Sequence, residues 1–232
     1  MASIPLLRTL VTVKRHPSAL LLFVQLLGVV LYPAMEHAAA GRAVFGAFGI
    51  LVLALALWVI NRSPAINWIA WLLAAPAVAL SLLAGTGLGP PSLATAAQVL
   101  EGALYLYAAG GLTAYMLRDH HVTGDELFAA GATFTLLAWA FAFAYLVCQQ
   151  WFPGSFIAAT APDAPRSWME LLFLSFSTLS GVGLSDIVPV RAQARALVML
   201  EQFAGVMYIA LVVSRLIGLA TTRAIARRDA DG

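Results

Sequence analysis

Charged residues are scarce in this chain. Asp, Glu, Lys and Arg make up 10% of its 232 residues, whereas about 25% is usual in a soluble domain. Hydrophobic residues make up 62%, and no stretch is long enough to form a separate soluble regulatory domain. The net charge of +2 is too small to indicate a nucleic-acid partner. The composition predicts an integral membrane protein whose surroundings are a lipid bilayer.

Cysteine pairs and common catalytic motifs are missing as well. Cys148 stands alone, which excludes an intrachain disulfide framework and a cysteine metal site. Neither an HExxH motif nor a nucleotide-binding loop occurs. Ser180-Gly181 suggests an intramembrane serine protease, but that chemistry needs a base at membrane depth. All four histidines fall in tails or loops: His16, His37, His120 and His121. We therefore expect no enzyme activity and no cofactor.

Apolar runs predict six membrane spans. Their approximate limits are 17–35, 43–60, 65–84, 93–117, 127–151 and 192–219. A further run, 168–180, is too short to cross a bilayer and predicts a re-entrant helix. The first run has an alternative interpretation as a signal peptide, because Ala38-Ala39-Ala40 resembles a cleavage site. The region before this run is long for a signal peptide, and further spans follow directly, so we favour a membrane span that is not cleaved off.

Basic residues predict the orientation of these spans. Six spans place both termini on one side, which collects nine of the 13 Lys and Arg residues. The other side has four: Arg42, Arg166, Arg191 and Arg195. Since cytoplasmic loops are enriched in Lys and Arg, we expect both termini in the cytoplasm.

Small and polar residues follow the short apolar run, in the stretch STLSGVGLSDIV at 177–188. Irregular backbone at membrane depth is tolerated only where protein buries it or water lines it. Glycine accepts unusual backbone dihedrals, and rings of carbonyl oxygens can replace the hydration shell of a cation. Asp186 would concentrate cations at the outer end. One chain cannot form such a ring, so several copies must meet around an axis.

This arrangement resembles the pore of the potassium-channel superfamily, whose filter reads T-x-x-T-V-G-Y-G-D. Thr178, Val182, Gly183 and Asp186 match that pattern without a gap, and Gly205 stands where many members carry a hinge glycine. Three further stretches are similar to bacterial six-span members: His121-Val122-Thr123-Gly124-Asp125, Pro153-Gly154-Ser155-Phe156 and Ser214-Arg215-Leu216-Ile217-Gly218.

The resemblance implies an all-α membrane protein with six transmembrane helices, a re-entrant pore helix and a filter loop in each subunit. It implies a homotetramer around a central pore, in the bacterial inner membrane. The domains would be a four-span N-terminal domain (1–118), a cytoplasmic linker (119–126), a pore domain (127–220) and a short basic tail (221–232).

The resemblance also implies a site. Residues 180–186, called the filter segment below, would form the selectivity filter: Ser180, Gly181, Val182, Gly183, Leu184, Ser185 and Asp186. Thr178 would end the pore helix. K⁺ or Na⁺ would bind the backbone carbonyls of Gly181, Val182, Gly183 and Leu184, and the partners would be three identical subunits.

Three positions depart from the family's filter. Gly181 replaces a threonine, so the ring of hydroxyl groups that the subunits would contribute there is lost. Leu184 replaces a tyrosine whose phenol fixes the filter's width. Ser185 replaces a glycine, which would cost about 1–2 kcal/mol if that position is left-handed. Potassium selectivity is therefore open. The alternatives are a non-selective pore for sodium and potassium, or a non-conducting sensor or partner-binding subunit. A secondary transporter is disfavoured, because no second re-entrant segment matches the first.

Ionisable residues inside the predicted spans are further candidates. Glu101 is the sole charge in the fourth span, which has no Lys or Arg, so we predict weak or no intrinsic voltage dependence. Glu101 itself is a proton site or a hydrogen-bonded polar residue. Glu201 either faces the pore or bonds the pore helix from behind. Arg215 is expected to extend towards the headgroups.

Loop histidines and span-end tryptophans complete the predictions. His120 and His121 allow a pH response, although a solvated loop is the plainer interpretation. Five tryptophans are expected to be interfacial anchors: Trp58, Trp68, Trp71, Trp151 and Trp168. Trp139 is expected to pack in the interior.

Overall fold

A computed structural model describes much of the chain. It covers residues 17–36, 48–49, 51–52, 54–56, 58–59, 67–86, 90–118 and 124–231. Helices α1 to α4 span Pro17–Glu36, Asn67–Gly85, Pro91–Arg118 and Gly124–Trp151. Strand β1 (Phe156–Ala158), helix α5 (Trp168–Leu179), strand β2 (Ile187–Pro189) and helix α6 (Ala192–Asp231) follow.

Three of the described helices are long and apolar enough to cross a membrane. They contain the segments Trp68–Gly85, Asp125–Trp151 and Ala192–Arg215. The chain is thus a mostly helical protein with membrane-spanning segments, as its composition predicts. The number of six spans stays a prediction. In the second predicted span only 48–49, 51–52, 54–56 and 58–59 are described, and they are helical. His120 and His121 lie outside the described residues.

The observed limits lie within a few residues of the predicted ones, apart from two differences. Helix α6 continues to Asp231, beyond the predicted end of the last span at residue 219. Two short strands pair antiparallel and place Ile157 opposite Val188. Neither strand was predicted, because three residues are too few to show an alternating pattern.

Helix α4 is the centre of the packing and contacts α1, α3, α5 and α6. Its Trp139 is buried and meets Trp168 of α5 edge to face, with ring centroids 5.2 Å apart. The prediction of an interfacial anchor is therefore wrong for Trp168, which is 8% exposed. Trp168 is thus both the first residue of α5 and a large aromatic side chain of the core.

Polar contacts join α1 to α4 and α2 to α3. Ser18 at the start of α1 donates to the Asp125 carboxylate of α4 through its backbone N–H (3.2 Å) and its hydroxyl (3.0 Å). Ser81 of α2 donates to Glu101 of α3 at 2.5 Å. Glu101 therefore has the hydrogen-bonded role that was one of its two predicted interpretations.

Candidate functional site

Helix α5 begins at a defined residue because a capping box closes its first turn. The Ser167 hydroxyl accepts from the Glu170 backbone N–H at 3.3 Å, and the Ser167 N–H donates to the Glu170 carboxylate at 2.6 Å. The helix has 12 residues, about 18 Å at 1.5 Å per residue. A helix of this length is too short to cross the hydrocarbon core of a bilayer.

Arg166 organises the loop that leads into α5. Its guanidinium group donates to the carbonyl oxygens of Thr160 (3.4 Å), Ala161 (2.5 Å) and Ala164 (2.5 Å). It also pairs with Glu170 at 3.1 Å, and the residue is only 4% exposed. The five donors of one side chain thus set the path of the backbone between β1 and α5.

The chain turns back on itself immediately after α5. The Gly181 N–H donates to the Thr178 carbonyl at 3.1 Å, and the Gly183 N–H donates to the Ser177 carbonyl at 3.0 Å. Gly181 and Gly183 have φ of 74° and 69°, in the left-handed region that favours glycine. The two glycines therefore allow a tight reversal against the end of α5.

These hydrogen bonds fix the direction of two carbonyl groups. The described peptide bonds are all trans, and in a planar trans peptide the N–H and the preceding C=O point in opposite directions. Since the Gly181 and Gly183 N–H groups point towards α5, the Ser180 and Val182 carbonyls point away from it. The segment therefore presents oxygen atoms on its free side.

The side chains of the filter segment are largely uncovered. Val182 is 71% exposed and Leu184 is 73% exposed, and Asp186 is also exposed. Thr178, by contrast, is buried at the end of α5. At membrane depth, free carbonyl groups of this kind are tolerated only where protein buries them or water lines them.

Ser185 lacks the strain that a left-handed position would impose. Ala161 is the one residue other than glycine with positive φ in the described part of the chain. The Ser185 hydroxyl accepts from the Ile187 backbone N–H at 3.1 Å. The expected penalty at this position is thus absent, because serine forms a local side-chain turn instead.

The C-terminal end of the filter segment is held by the small sheet. Phe156 pairs with Pro189, and the Val190 N–H donates to the Ser155 carbonyl at 2.9 Å. The stretch 153–156 and the residues after Asp186 were separate features in the sequence. The structure brings them together through main-chain hydrogen bonds.

Gly205 of α6 packs directly against the end of α5. A Cβ built on Gly205 would lie 2.1 Å from the Leu179 carbonyl oxygen, closer than such atoms are found in proteins. Glycine is therefore required for the contact between the two helices. A hinge at Gly205 stays a prediction. The contact with Leu179 could not be predicted from the position of Gly205 in the sequence.

Residues 131–222 match a family model described as ion channel. The match begins within α4, includes the filter segment and reaches far into α6, so it covers the part of the chain built around α5. It supports an ion channel in a membrane, which is a kind of transport protein. No curated protein and no solved structure matches the chain.

Two charged residues in the matched region have buried partners. Glu201 is fully buried, accepts from Tyr145 of α4 and lies within hydrogen-bonding distance of Ser175 of α5. It therefore lies behind the filter segment, as one of its two interpretations had it. Arg215 pairs with Glu126 at 3.1 Å. Its extension towards the headgroups stays a prediction.

Sequence reasoning missed Arg166, Tyr145 and Ser175 as residues that support this region. Tyr145 and Glu201 are 56 positions apart, and no local spacing links them. For Tyr145 and Ser175, a hydroxyl group inside an apolar run was the one signal in the sequence, and it does not indicate which residue is the partner.

Proposed function

We propose that this chain is one of four identical subunits of a cation channel of the potassium-channel superfamily, in the bacterial inner membrane. The reversal of the chain at the end of α5, with the Ser180 and Val182 carbonyls directed away from that helix, is the observation that carries the proposal. Ions would pass down their gradient between the four filter segments.

In this proposal α5 is the pore helix, α4 the outer helix and α6 the inner helix, with both termini in the cytoplasm. The C-terminal end of α5 carries partial negative charge and is adjacent to the filter segment. K⁺ or Na⁺ would bind the carbonyls of Gly181, Val182, Gly183 and Leu184. Asp186 would raise the cation concentration at the outer mouth.

The uncovered face of α6 supports an assembly of several copies. Glu201 and the buried Ala194 and Val198 mark the face towards α4 and α5. Another face exposes a stripe of large apolar side chains at helical spacing: Met199, Phe203, Val206, Val213 and Ile217. In the proposed tetramer this stripe faces the central cavity and neighbouring subunits. The four-span domain 1–118 would surround the pore as a scaffold or as a sensor of another stimulus.

A non-selective pore is the second candidate, and Leu184 is the residue that favours it. Its isobutyl group is 73% exposed and has no hydroxyl with which to hold the filter segment at a fixed width. A filter of variable width discriminates less between potassium and sodium. A non-conducting sensor subunit is the remaining alternative.

Flux into liposomes separates these candidates. Purified protein is reconstituted, and uptake is compared under a potassium gradient, a sodium gradient and no gradient. We expect cation flux down either gradient. Flux with potassium alone would overturn the non-selective candidate, and no flux under any gradient would overturn the channel proposal.

A matched pair of glycine variants tests whether flux uses the filter segment. Gly183 (φ 69°) and Gly154 (φ 75°) are both left-handed, and a Cβ at either meets nothing within 4 Å. Alanine at each position carries a similar backbone cost of about 1–2 kcal/mol, but Gly154 lies in the outer loop. We expect Gly183→Ala to abolish flux and Gly154→Ala to retain it. Equal flux from the two variants would count against this pathway.

A further inference from the structure

The carboxyl group of Glu201 joins three helices behind the filter segment. The residue lies on α6 and is fully buried. Tyr145 of α4 donates its phenolic O–H to Oε2, and the Ser175 Oγ of α5 contacts Oε1. The same Ser175 Oγ lies 2.8 Å from the carbonyl oxygen of Ala138 on α4.

A count of protons favours one protonation state of this group. A serine hydroxyl has one hydrogen to donate, and a backbone carbonyl can only accept. If Ser175 donates to Ala138, the contact between Ser175 and Glu201 needs a hydrogen from Glu201. A neutral carboxylic acid supplies that hydrogen, and its other oxygen still accepts from Tyr145. Every contact of the cluster is then satisfied.

The surroundings of Glu201 favour the neutral form as well. In the part of the chain that the structure describes, the groups that face it are the Tyr145 phenol and the Ser175 hydroxyl, with the Cys148 thiol next to Tyr145. No Lys, Arg or His among the described residues forms an ion pair with it. A buried carboxylate without a cationic partner is costly.

A second contact lies one helical turn further along both helices. Glu201 and Gly205 are four residues apart on α6, and their partners Ser175 and Leu179 are four residues apart on α5. The two helices are therefore in register over one turn. Leu179 directly precedes the filter segment, so a shift of α6 at this turn reaches the filter segment through α5.

We propose that Glu201 is a protonated carboxylic acid that donates to Ser175 and so acts as a positioning residue for α5 and the filter segment. Loss of its proton leaves Ser175 to donate either to the carboxylate or to Ala138. The hydrogen-bonded chain from α6 through α5 to α4 is then broken at one link. Its effect on conduction rests on the proposed function, whereas the protonation itself does not.

Difference infrared spectroscopy tests the proton directly. The spectrum of Glu201→Gln is subtracted from that of the wild type, both at neutral pH in lipid. We expect the difference to show the C=O band of a protonated carboxylic acid, shifted in D₂O. Glu101→Gln is the control, because Glu101 is also a glutamate that forms a hydrogen bond with a serine, Ser81. A carboxylate band lost in Glu201→Gln, with no acid band, would overturn the proposal.

Stability and flux measurements test the positioning role. Glutamine can donate to Ser175 through its amide N–H and accept from Tyr145, so we expect Glu201→Gln to keep the wild-type thermal midpoint and flux. Glu201→Ala leaves Tyr145 and Ser175 without their partner and should lower the midpoint by several degrees. Gln202→Ala, on the adjacent exposed residue, should change neither.

Two further outcomes would contradict the positioning role. One is a thermal midpoint of Glu201→Gln as low as that of Glu201→Ala. Since the amide can keep the hydrogen bonds, such a loss would not come from their removal. The other is that Glu201→Ala melts like the wild type. If the wild type itself carries no cations, the channel proposal fails, while the infrared and melting results still decide the role of Glu201.

Discussion

Replacing Gly205 by alanine would force a methyl group against the main chain of α5. The added Cβ would lie 2.1 Å from the Leu179 carbonyl oxygen, 2.8 Å from its carbonyl carbon and 3.0 Å from its Cα. Ordinary close approaches of carbon to a carbonyl oxygen are about 3.3 Å. Since a backbone carbonyl cannot rotate away, α6 and α5 must separate by about 1 Å.

The free energy of this change has two opposing parts. Overpacking costs about 1–3 kcal/mol, and the rigid obstacle favours the upper end. Alanine recovers up to about 1 kcal/mol, because glycine is a poor helix former. We therefore expect Gly205→Ala to destabilise each subunit by about 2 kcal/mol. A loss of that size lowers the thermal midpoint by about 4–8 °C in a chain of this length.

Thermal unfolding of the purified protein measures the effect, with Gly218→Ala as the matched control. Gly218 is on the same helix, and a Cβ there meets nothing within 4 Å, so its alanine variant should be neutral or slightly more stable. If Gly205 served only as a hinge, alanine would stiffen α6 and raise the midpoint. A midpoint for Gly205→Ala at or above that of Gly218→Ala would refute the contact.

Three further predictions concern polar groups around the site. Arg166→Lys removes the guanidinium group that binds the loop between β1 and α5 and should lower the free energy of unfolding by about 1–3 kcal/mol; an unchanged thermal midpoint would contradict this. Arg215→Gln leaves the buried Glu126 carboxylate without this ion pair and should lower the free energy of unfolding by about 3 kcal/mol. Adding Glu126→Gln should recover most of that loss, whereas additive losses would mean that the pair is not coupled. Ser185→Ala removes the acceptor of the Ile187 N–H and should cost about 0.5–1.5 kcal/mol; hydrogen exchange at that amide should accelerate, and an unchanged rate would refute the contact.

Local patterns in the sequence predicted the helices well. Long apolar runs set the limits of α4 and the start of α6, and the 168–180 run predicted a helix too short to cross. Glycine at positions 181 and 183 was interpreted as a need for unusual dihedrals, and both residues have positive φ. These features depend on a few neighbouring residues, so the sequence displays them directly.

Contacts between distant residues were not predictable in the same way. Trp168 has the composition and position of an interfacial anchor, and only the packing of α4 against α5 buries it. The partner of Arg215 is 89 positions away. The contact of Gly205 depends on the distance between two helix axes, which no residue pattern encodes. The sequence thus predicted local backbone geometry in the filter segment, such as the positive φ of Gly181 and Gly183, but not the contacts between distant residues around it.

The loop that Arg166 holds has a consequence for variation among related proteins. Residues 159–165 are all exposed, so their side chains face no packing constraint. Their carbonyl oxygens at 160, 161 and 164 nevertheless bind one guanidinium group at fixed positions. Substitutions in this loop should be well tolerated, whereas insertions and deletions should not. The exposed side chains of this loop can thus vary in chemistry, whereas the carbonyl contacts with Arg166 restrict the length of the loop.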